Sequence, residues 1–494
     1  MRRTTGAALL LAVVAATNVR AQIGPEEQAR RLLEDGRAAW RDGKLKQALD
    51  NFNTIASGFS GTSSVDDALL EIGRYHYEVD RNAARAREAF EQVAKRYPQS
   101  DGAPGAYWQL GWLALGSAKT VADLDDAVAQ FGRVQRLYPR SEWVPKALHA
   151  SAIAHRRAAR LGDAALNARR VVLEYPTSDA APAAQLELGQ VLALLGRPHA
   201  AMEAFQEVRN RWPASDLGRE ALDRITALWR LHGSSKPLFQ VDASWSVGAG
   251  DVLKGVRALL ADRGGNLWIA SEKVSAAVPF SPEGKMGASY NAQDPRALTL
   301  TPLGEIVFTS RTAVRVGARD VRTFSVPGDK PGVLEPLDKI NAAAVVPGTG
   351  VLVADEKRKR VFLFDDASKF VSAYPDAGER EVTRIVLDSE GSILMLDHER
   401  RSITVLDRAG KLVRVIGPVG AGYNLRKPVD IAVDAFRNLY VADEELGVFV
   451  LAPDGKLLAH LQAAEARKPR AITVDQAGSV LVYDDKTQRV VRFR

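Results

Sequence analysis

The stretch Pro428-Val-Asp-Ile-Ala-Val-Asp434-Ala-Phe-Arg-Asn438-Leu-Tyr-Val-Ala-Asp443 reads as two short β-strands joined by a tight turn. Apolar and β-branched residues fill each strand, and Asp, Arg and Asn occupy the turn. Working outward, the same pattern recurs. Second strands end at Ser271, Ser310, Asp355, Asp397, Asp443 and Asp484, and nine residues before each stands Asp262, Thr301, Val346, Asp388, Asp434 or Asp475. The nine-residue offset holds in six units spaced 39 to 46 residues apart. Segments such as Asp388-Ser-Glu-Gly391 and Asp475-Gln-Ala-Gly478 supply the hairpin turns. Six units of this length, each with room for four strands, predict a six-bladed β-propeller over 238–494. After Asp484 only one more strand remains, so the last blade lacks its outermost strand. The segment 238–247, just before the first blade, is placed to supply it and close the ring.

Residues 22–232 follow a different period. Tyr97-Pro98, Tyr138-Pro139, Tyr175-Pro176 and Trp212-Pro213 recur at intervals of 41, 37 and 37 residues, each with Ser two positions after the proline. Before three of them lie Ala86, Phe90 and Val93; Ala127, Phe131 and Val134; and Ala201, Phe205 and Val208. Spacings of four and then three put each trio on one helical face. Gly36, Gly73, Gly111, Ala152 and Gly189 mark the preceding helices, where two helices must approach closely. This predicts an α-helical solenoid of five helix pairs with a cap helix over 216–232, joined to the propeller by residues 233–237. The fold class is therefore multidomain, α then β.

The helical half resembles tetratricopeptide repeats: Gly189, Ala201, Phe205 and Pro213 fall at that family's spacing. The first unit keeps Gly36, Ala48 and Phe52 but has Ser60 in place of the proline, and the fourth has Ala152, Ala164 and Ala168, without the aromatic. The Tyr-Pro-x-Ser joint is similar to repeats of bacterial envelope proteins, the Tol-associated coordinator and the outer-membrane assembly lipoprotein. The second half, whose blades begin at a proline in Pro428 and Pro469, resembles NHL repeats.

The first residues predict export. Arg2 and Arg3 precede an apolar run over 7–16, and Val19-Arg20-Ala21 has small residues at the cleavage-defining positions, so 1–21 reads as a signal peptide. The run is too short to span a bilayer, and with no cysteine in the chain there is no lipidation site, so no transmembrane anchor is expected and a periplasmic or secreted location follows. Of 67 basic residues, Arg2, Arg3 and Arg20 fall in that segment, leaving 64 against 60 acidic, which does not suit a nucleic-acid binder. Lys357-Arg-Lys-Arg360 reads as a solvated turn.

Absence of cysteine excludes disulfides, thiolate nucleophiles and Cys-ligated zinc. The propeller holds two histidines, His398 and His460, at non-equivalent places, and no phosphate loop, nucleophile elbow or metalloprotease helix occurs. No catalytic residue, cofactor or metal site is expected, and the repeating aspartates read as turn caps. The resemblance to propeller lactonases and lyases gives the alternative, a metal-dependent hydrolase or lyase with the solenoid as targeting domain.

Binding fits better. In tetratricopeptide arrays the first helix of each pair lines the groove, which places Arg37, Trp40, Arg74, Tyr77, Trp108, Trp112, His149 and Arg156 there. Aromatic faces beside guanidinium groups suit a protein or peptide partner with apolar and acidic side chains, and exposed tryptophans also suit cell-wall glycan. In the propeller, Arg257, Arg296, Asn341, Thr383, Val429 and Arg470 stand five residues before the first-strand endpoints, with Arg384 one residue out of register. Arg470, Arg257 and Arg296 belong to three consecutive blades of a closed ring, so they form a candidate anion site at a channel mouth. The expected function is a non-catalytic adaptor mediating protein–protein interaction at the bacterial cell envelope.

Overall fold

In the computed structural model, residues 24–494 are described apart from 244, 246, 248–249, 302–303, 319, 329, 331 and 375–379. The expected signal segment, 1–21, and positions 244 and 246 of the expected closing strand lie outside the described residues.

Among the described residues eleven helices come first: α1 Pro25–Arg41, α2 Leu45–Gly58, α3 Val65–Glu78, α4 Ala83–Arg96, α5 Ala103–Ser117, α6 Val121–Leu137, α7 Trp143–Arg157, α8 Leu161–Glu174, α9 Ala181–Leu194, α10 Pro198–Arg211 and α11 Leu217–His232. Two compact units divide between Leu110 and Gly111, within α5. In both, the helix pairs interlock by one device. A methyl group on Gly36, Gly73, Gly111 or Gly189 would overlap the ring of Phe52, Phe90, Phe131 or Phe205 on the second helix of the pair. All four rings are fully buried. Where the first helix carries Ala152, its methyl occupies that space and the second helix answers with Ala168. The fourth repeat thus carries two buried alanines where the others pair glycine with phenylalanine.

Each aromatic-Pro joint is a repeated turn. The backbone N–H groups of Ser100, Ser141, Ser178 and Ser215 donate to the carbonyls of Tyr97, Tyr138, Tyr175 and Trp212, at 3.0, 2.9, 3.1 and 2.9 Å. Proline cannot continue the helix before it, so α4, α6, α8 and α10 stop at the same point of the repeat.

Among the described residues the remaining chain forms eight small antiparallel sheets; two are two-stranded, and the other six are blades whose innermost strands are Val256–Ala261, Pro295–Leu300, Ile340–Val346, Val382–Leu387, Pro428–Val433 and Pro469–Val474. Each innermost strand neighbours the next, and the sixth neighbours the first, which makes a closed six-bladed ring. Every seam between blades has its own apolar cluster, such as Trp268, Ala270, Leu298 and Phe308 between the first two. The sixth blade has three strands of its own, and a fourth segment completes it. Val241 pairs with Phe493, and Gln240 and Arg494 exchange two backbone hydrogen bonds of 2.9 Å. The first blade is therefore preceded by chain that belongs to the last.

The recurring aspartates are turn caps. Asp262, Asp388, Asp434 and Asp475 accept backbone N–H groups from Asn266, Ser392, Asn438 and Ser479 across the first hairpin. Asp355, Asp397, Asp443 and Asp484 do the same for Arg358, Arg400, Leu446 and Thr487 in the next turn.

Candidate functional site

In the first compact unit, α1 and α3 bring four of the expected groove residues near one another. Arg37 reaches across to Glu71 (3.0 Å) and Asp67 (3.3 Å). The Arg74 guanidinium lies 4.6 Å over the Trp40 ring and pairs with Glu78 at 2.9 Å, while Tyr75 meets Trp40 edge-on. Tyr77 is 43% exposed, an unusual state for so large a ring. The acidic partners Glu71 and Asp67 sit among the cations, so this face has mixed charge. Desolvation raises the Asp67 carboxyl above its ordinary range, and the Arg37 charge opposes the shift.

On α5, Trp108 and Trp112 stand one turn apart and both are partly buried. Trp112 packs edge-on against Phe131, 6.1 Å between centroids. On α7, Arg156 is turned inward. Its guanidinium holds Glu187 of α9 (2.5 Å) and Glu390 of the propeller, with all three side chains about 90% buried. The ion triad belongs to a wider seam between the later helices and the propeller's first-hairpin turns. Phe436 enters the solenoid core and lies 6.3 Å from Phe205, Gln190 donates to the Ala435 carbonyl at 2.7 Å, and Arg230 donates to the Ala477 carbonyl. In return Leu231 joins the core of the last two blades. Arg156 thus secures the chain's own propeller and is not available to select a ligand's charge. His149, on the same helix, has its imidazole held below the usual range by burial, with Glu187 opposing and Arg156 adding to the shift.

At the other end of the ring, all six residues at the expected mouth position come together. Arg257, Arg296, Asn341, Thr383, Val429 and Arg470 line one cavity of about 250 Å³, joined by Glu356, Glu381, Arg384 and His398. A repeated backbone irregularity aims them. In each innermost strand the pairing register skips at this one residue, as between Val256 and Ala258 or between Pro469 and Ala471. Such a bulge leaves one residue out of the ladder and re-aims its side chain. The residue after the bulge is alanine in four blades (Ala258, Ala297, Ala342 and Ala471) but Arg384 and Asp430 in the fourth and fifth. This accounts for Arg384 being one residue out of register: it belongs to the layer beneath. Arg384 pairs with Asp430 at 2.7 Å and donates to the Arg257 carbonyl of the opposite blade, so the pair floors the cavity. Burial pushes the Asp430 carboxyl up, while Arg384 and the N–H groups of Ile472 and Ile431 pull against it.

Around this cup run ion pairs: Arg257 with Glu272 (2.5 Å), Arg296 with Asp294 (2.8 Å) and Glu356 (3.8 Å), Lys339 with Glu356 (3.7 Å), and Lys359 with Glu399 (2.9 Å) and Glu381 (3.7 Å). Lys359 and Arg358 of the basic run are thereby engaged, Arg358 with Glu335 at 2.9 Å. Burial, then the Glu399 carboxylate beside it, raises the Glu381 carboxyl. Glu356, Glu381 and Asp430 lie outside the residues the sequence marks for this site, and His398 is marked only as an isolated histidine. A signal existed for two of them: Glu356 and His398 directly follow the second-strand aspartates Asp355 and Asp397, a position as regular as the first.

Chemically, the cup offers guanidinium donors on one side and carboxylate acceptors on the other. The ring nitrogen Nδ1 of His398 lies 2.8 Å from the Pro428 carbonyl, and His460 stacks on Phe449 outside the cavity. Among the described residues no group of three or more His, Asp or Glu side chains is gathered to hold a metal ion. Among them, too, no helix is long and apolar enough to cross a membrane.

The Tetratricopeptide repeat family matches residues 67–100 and 183–215, that is, α3–α4 and α9–α10 with their joints. The helical part thus contains tetratricopeptide repeats at these two places and is followed by a six-bladed propeller. No curated protein matches the chain. Solved structures similar to it include a streptogramin B lyase (14% identity, TM-score 0.38, 52% of this chain and 97% of that one). A gluconolactonase from Xanthomonas campestris gives 14% identity and TM-score 0.38 over 49% of this chain and 86% of that one. The WD40 propeller domain of Doa1 gives 14% and 0.36 over 52% and 97%.

Proposed function

We propose that the chain is a non-catalytic adaptor, exported to the bacterial cell envelope, whose first tetratricopeptide repeats dock a protein or peptide partner. The observation that carries the reading is the α1–α3 face, where Trp40, Arg74 and the exposed Tyr77 are grouped. Tryptophan, tyrosine and arginine are the residues that dominate interface energies, and an arginine already stacked on an aromatic ring is partly ordered before binding. Asp67 and Glu71 hold Arg37 and Glu78 pairs with Arg74, so the aromatic surfaces and the exposed part of the Arg74 guanidinium are what a partner with apolar and acidic side chains would meet. The propeller is the second body of the adaptor, anchored by the Arg156 seam. Export rests on the sequence of residues 1–21.

The test is affinity capture from envelope extracts, comparing the wild type with a Tyr77→Ala, Arg74→Glu double variant. Tyr77 is exposed, while Arg74 stacks on Trp40 and pairs with Glu78, so a modest drop in melting temperature with the fold retained is expected. A protein partner lost in the double variant supports the reading. A partner set that is unchanged, with the fold intact, or recovery of wall glycan in place of protein, sinks it. Mass spectrometry of the native protein should find Gln22 as the mature N-terminus.

A further inference from the structure

The cup at the propeller mouth has two unlike walls. On consecutive blades six, one and two stand Arg470, Arg257 and Arg296; on blades three and four stand Glu356 and Glu381, with Asn341 and Thr383 beside them. Its floor is already neutral, because the Arg384 charge is matched by Asp430.

Donors on the first wall exceed their acceptors. The Arg470 side chain has no hydrogen bond or ion pair among the described residues, although its charge helps hold the Glu444 carboxyl down. Arg257 and Arg296 each spend terminal nitrogens on Glu272 and Asp294, yet the buried Nε of each has no acceptor among the described residues. Buried N–H groups in native proteins are almost always matched, so these two unmatched Nε donors on adjacent blades, with the half-buried Arg470 guanidinium beside them, call for an anionic group. On the second wall the shortage of cations is at Glu381. Glu381 and Glu399 share one ammonium, that of Lys359, and Glu356 divides its charge between Lys339 and Arg296 at 3.7 and 3.8 Å.

We infer that the cup binds a small zwitterion, its carboxylate on the Arg470–Arg257–Arg296 arc and its ammonium toward Glu381 and Glu356. The volume, about 250 Å³, lies below the roughly 300–1,000 Å³ of pockets that enclose drug-sized molecules, which limits the ligand to an amino acid or a dipeptide. Opposed walls make the recognition bipolar: a simple anion meets the carboxylates, and a simple amine meets the arginines. This site is independent of the solenoid reading, and neither depends on the other's residues.

Isothermal titration of the full chain with L-alanine, glycylglycine, acetate, methylammonium and inorganic phosphate, at constant ionic strength, tests it. At least one zwitterion should bind ten-fold or more tightly than acetate, methylammonium or phosphate. Arg470→Gln should weaken that binding at least ten-fold, with Arg470→Lys intermediate because it keeps the charge and loses the fork. Glu381→Gln should weaken the zwitterion and leave acetate no weaker than before. Should Arg470→Gln fail to fold, Arg470→Lys and Glu381→Gln carry the test. Phosphate or acetate binding as tightly as the zwitterions, no binding by any of the five, or zwitterion binding indifferent to these changes overturns the inference.

Discussion

The two faces of the propeller ring are made by the same repeated hairpins and put to opposite uses. On one face the turns joining first and second strands carry Glu390, Phe436 and the Ala477-Gly478 pair, and these pack on α7, α9, α10 and α11. On the other face the bulged residues of six innermost strands line a polar cup. In both places an aspartate or serine fixes the backbone, and the residues it leaves unconstrained carry the individual chemistry. Asp434, for example, accepts from the N–H groups of Phe436 and Asn438 and so presents the Phe436 ring to the solenoid. The regular residues hold the turn, and the irregular ones say what it touches.

The packed face should be the costlier to break. Removing the Arg156 head group strands Glu187 and Glu390 in a site about 90% buried, and loss of one partner from such a pair costs on the order of 3–5 kcal/mol. Phe436→Ala should cost a similar amount, on the order of 3–5 kcal/mol, through the cavity it leaves. Urea titration followed by tryptophan fluorescence reads both. The neighbouring residue supplies the contrast. Arg157 has its pKa lowered to about 10 by burial, with Arg408 and Arg156 adding to the shift. Its charge works against the fold below that pH, so Arg157→Met should be neutral or stabilising while Arg156→Met is severe. Equal losses for the two would show that the triad is not what holds this seam.

At the cup, the floor is the sensitive element. Arg384→Ala leaves Asp430 buried without its cation, and a loss of about 3 kcal/mol is expected. The Arg384→Ala, Asp430→Ala double variant restores the alanine found at this layer in the other four blades, and most of the stability should return. Thermal unfolding of the two single variants and the double variant decides it. Additive losses would mean that Arg384 and Asp430 act separately.

Much of this was legible in the sequence because the repeats announce themselves. The nine-residue offset, the aromatic-Pro joints and the glycine–phenylalanine spacing each follow from a contact made in several units. The six mouth positions could be found for the same reason: one bulge per blade returns the side chain to the same place. Arg156 shows the opposite case. Its position on α7 marks it as a groove residue, but its partner Glu390 lies 234 positions away in a turn whose spacing says only that it is a turn. Arg384 and Asp430 were hidden likewise, since their pairing depends on ring closure and on a register shift that composition does not reveal.

The smallest effect, and the one that separates the faces without removing a contact, is the response to mild acid. His149, near the Arg156 triad, has an imidazole pKa lowered chiefly by burial, and burial shifts His155 and His232 the same way. Near pH 6.5 the unfolded chain therefore binds more protons than the folded one, so stability falls as pH drops through that region and continues to fall toward the folded-state values. Glu381, at the cup, runs the other way. Its raised carboxyl pKa means that the folded state binds the extra proton, so its contribution is fully present below the ordinary glutamate range and is lost as pH rises through the folded value. Melting temperatures measured from pH 7.5 to 5.5 should decline in the wild type. The slope should flatten in His149→Gln and stay unchanged in Glu381→Gln. A decline that persists unchanged in His149→Gln would show that His149 is not its source, and a decline made shallower in Glu381→Gln would contradict the raised carboxyl at the cup.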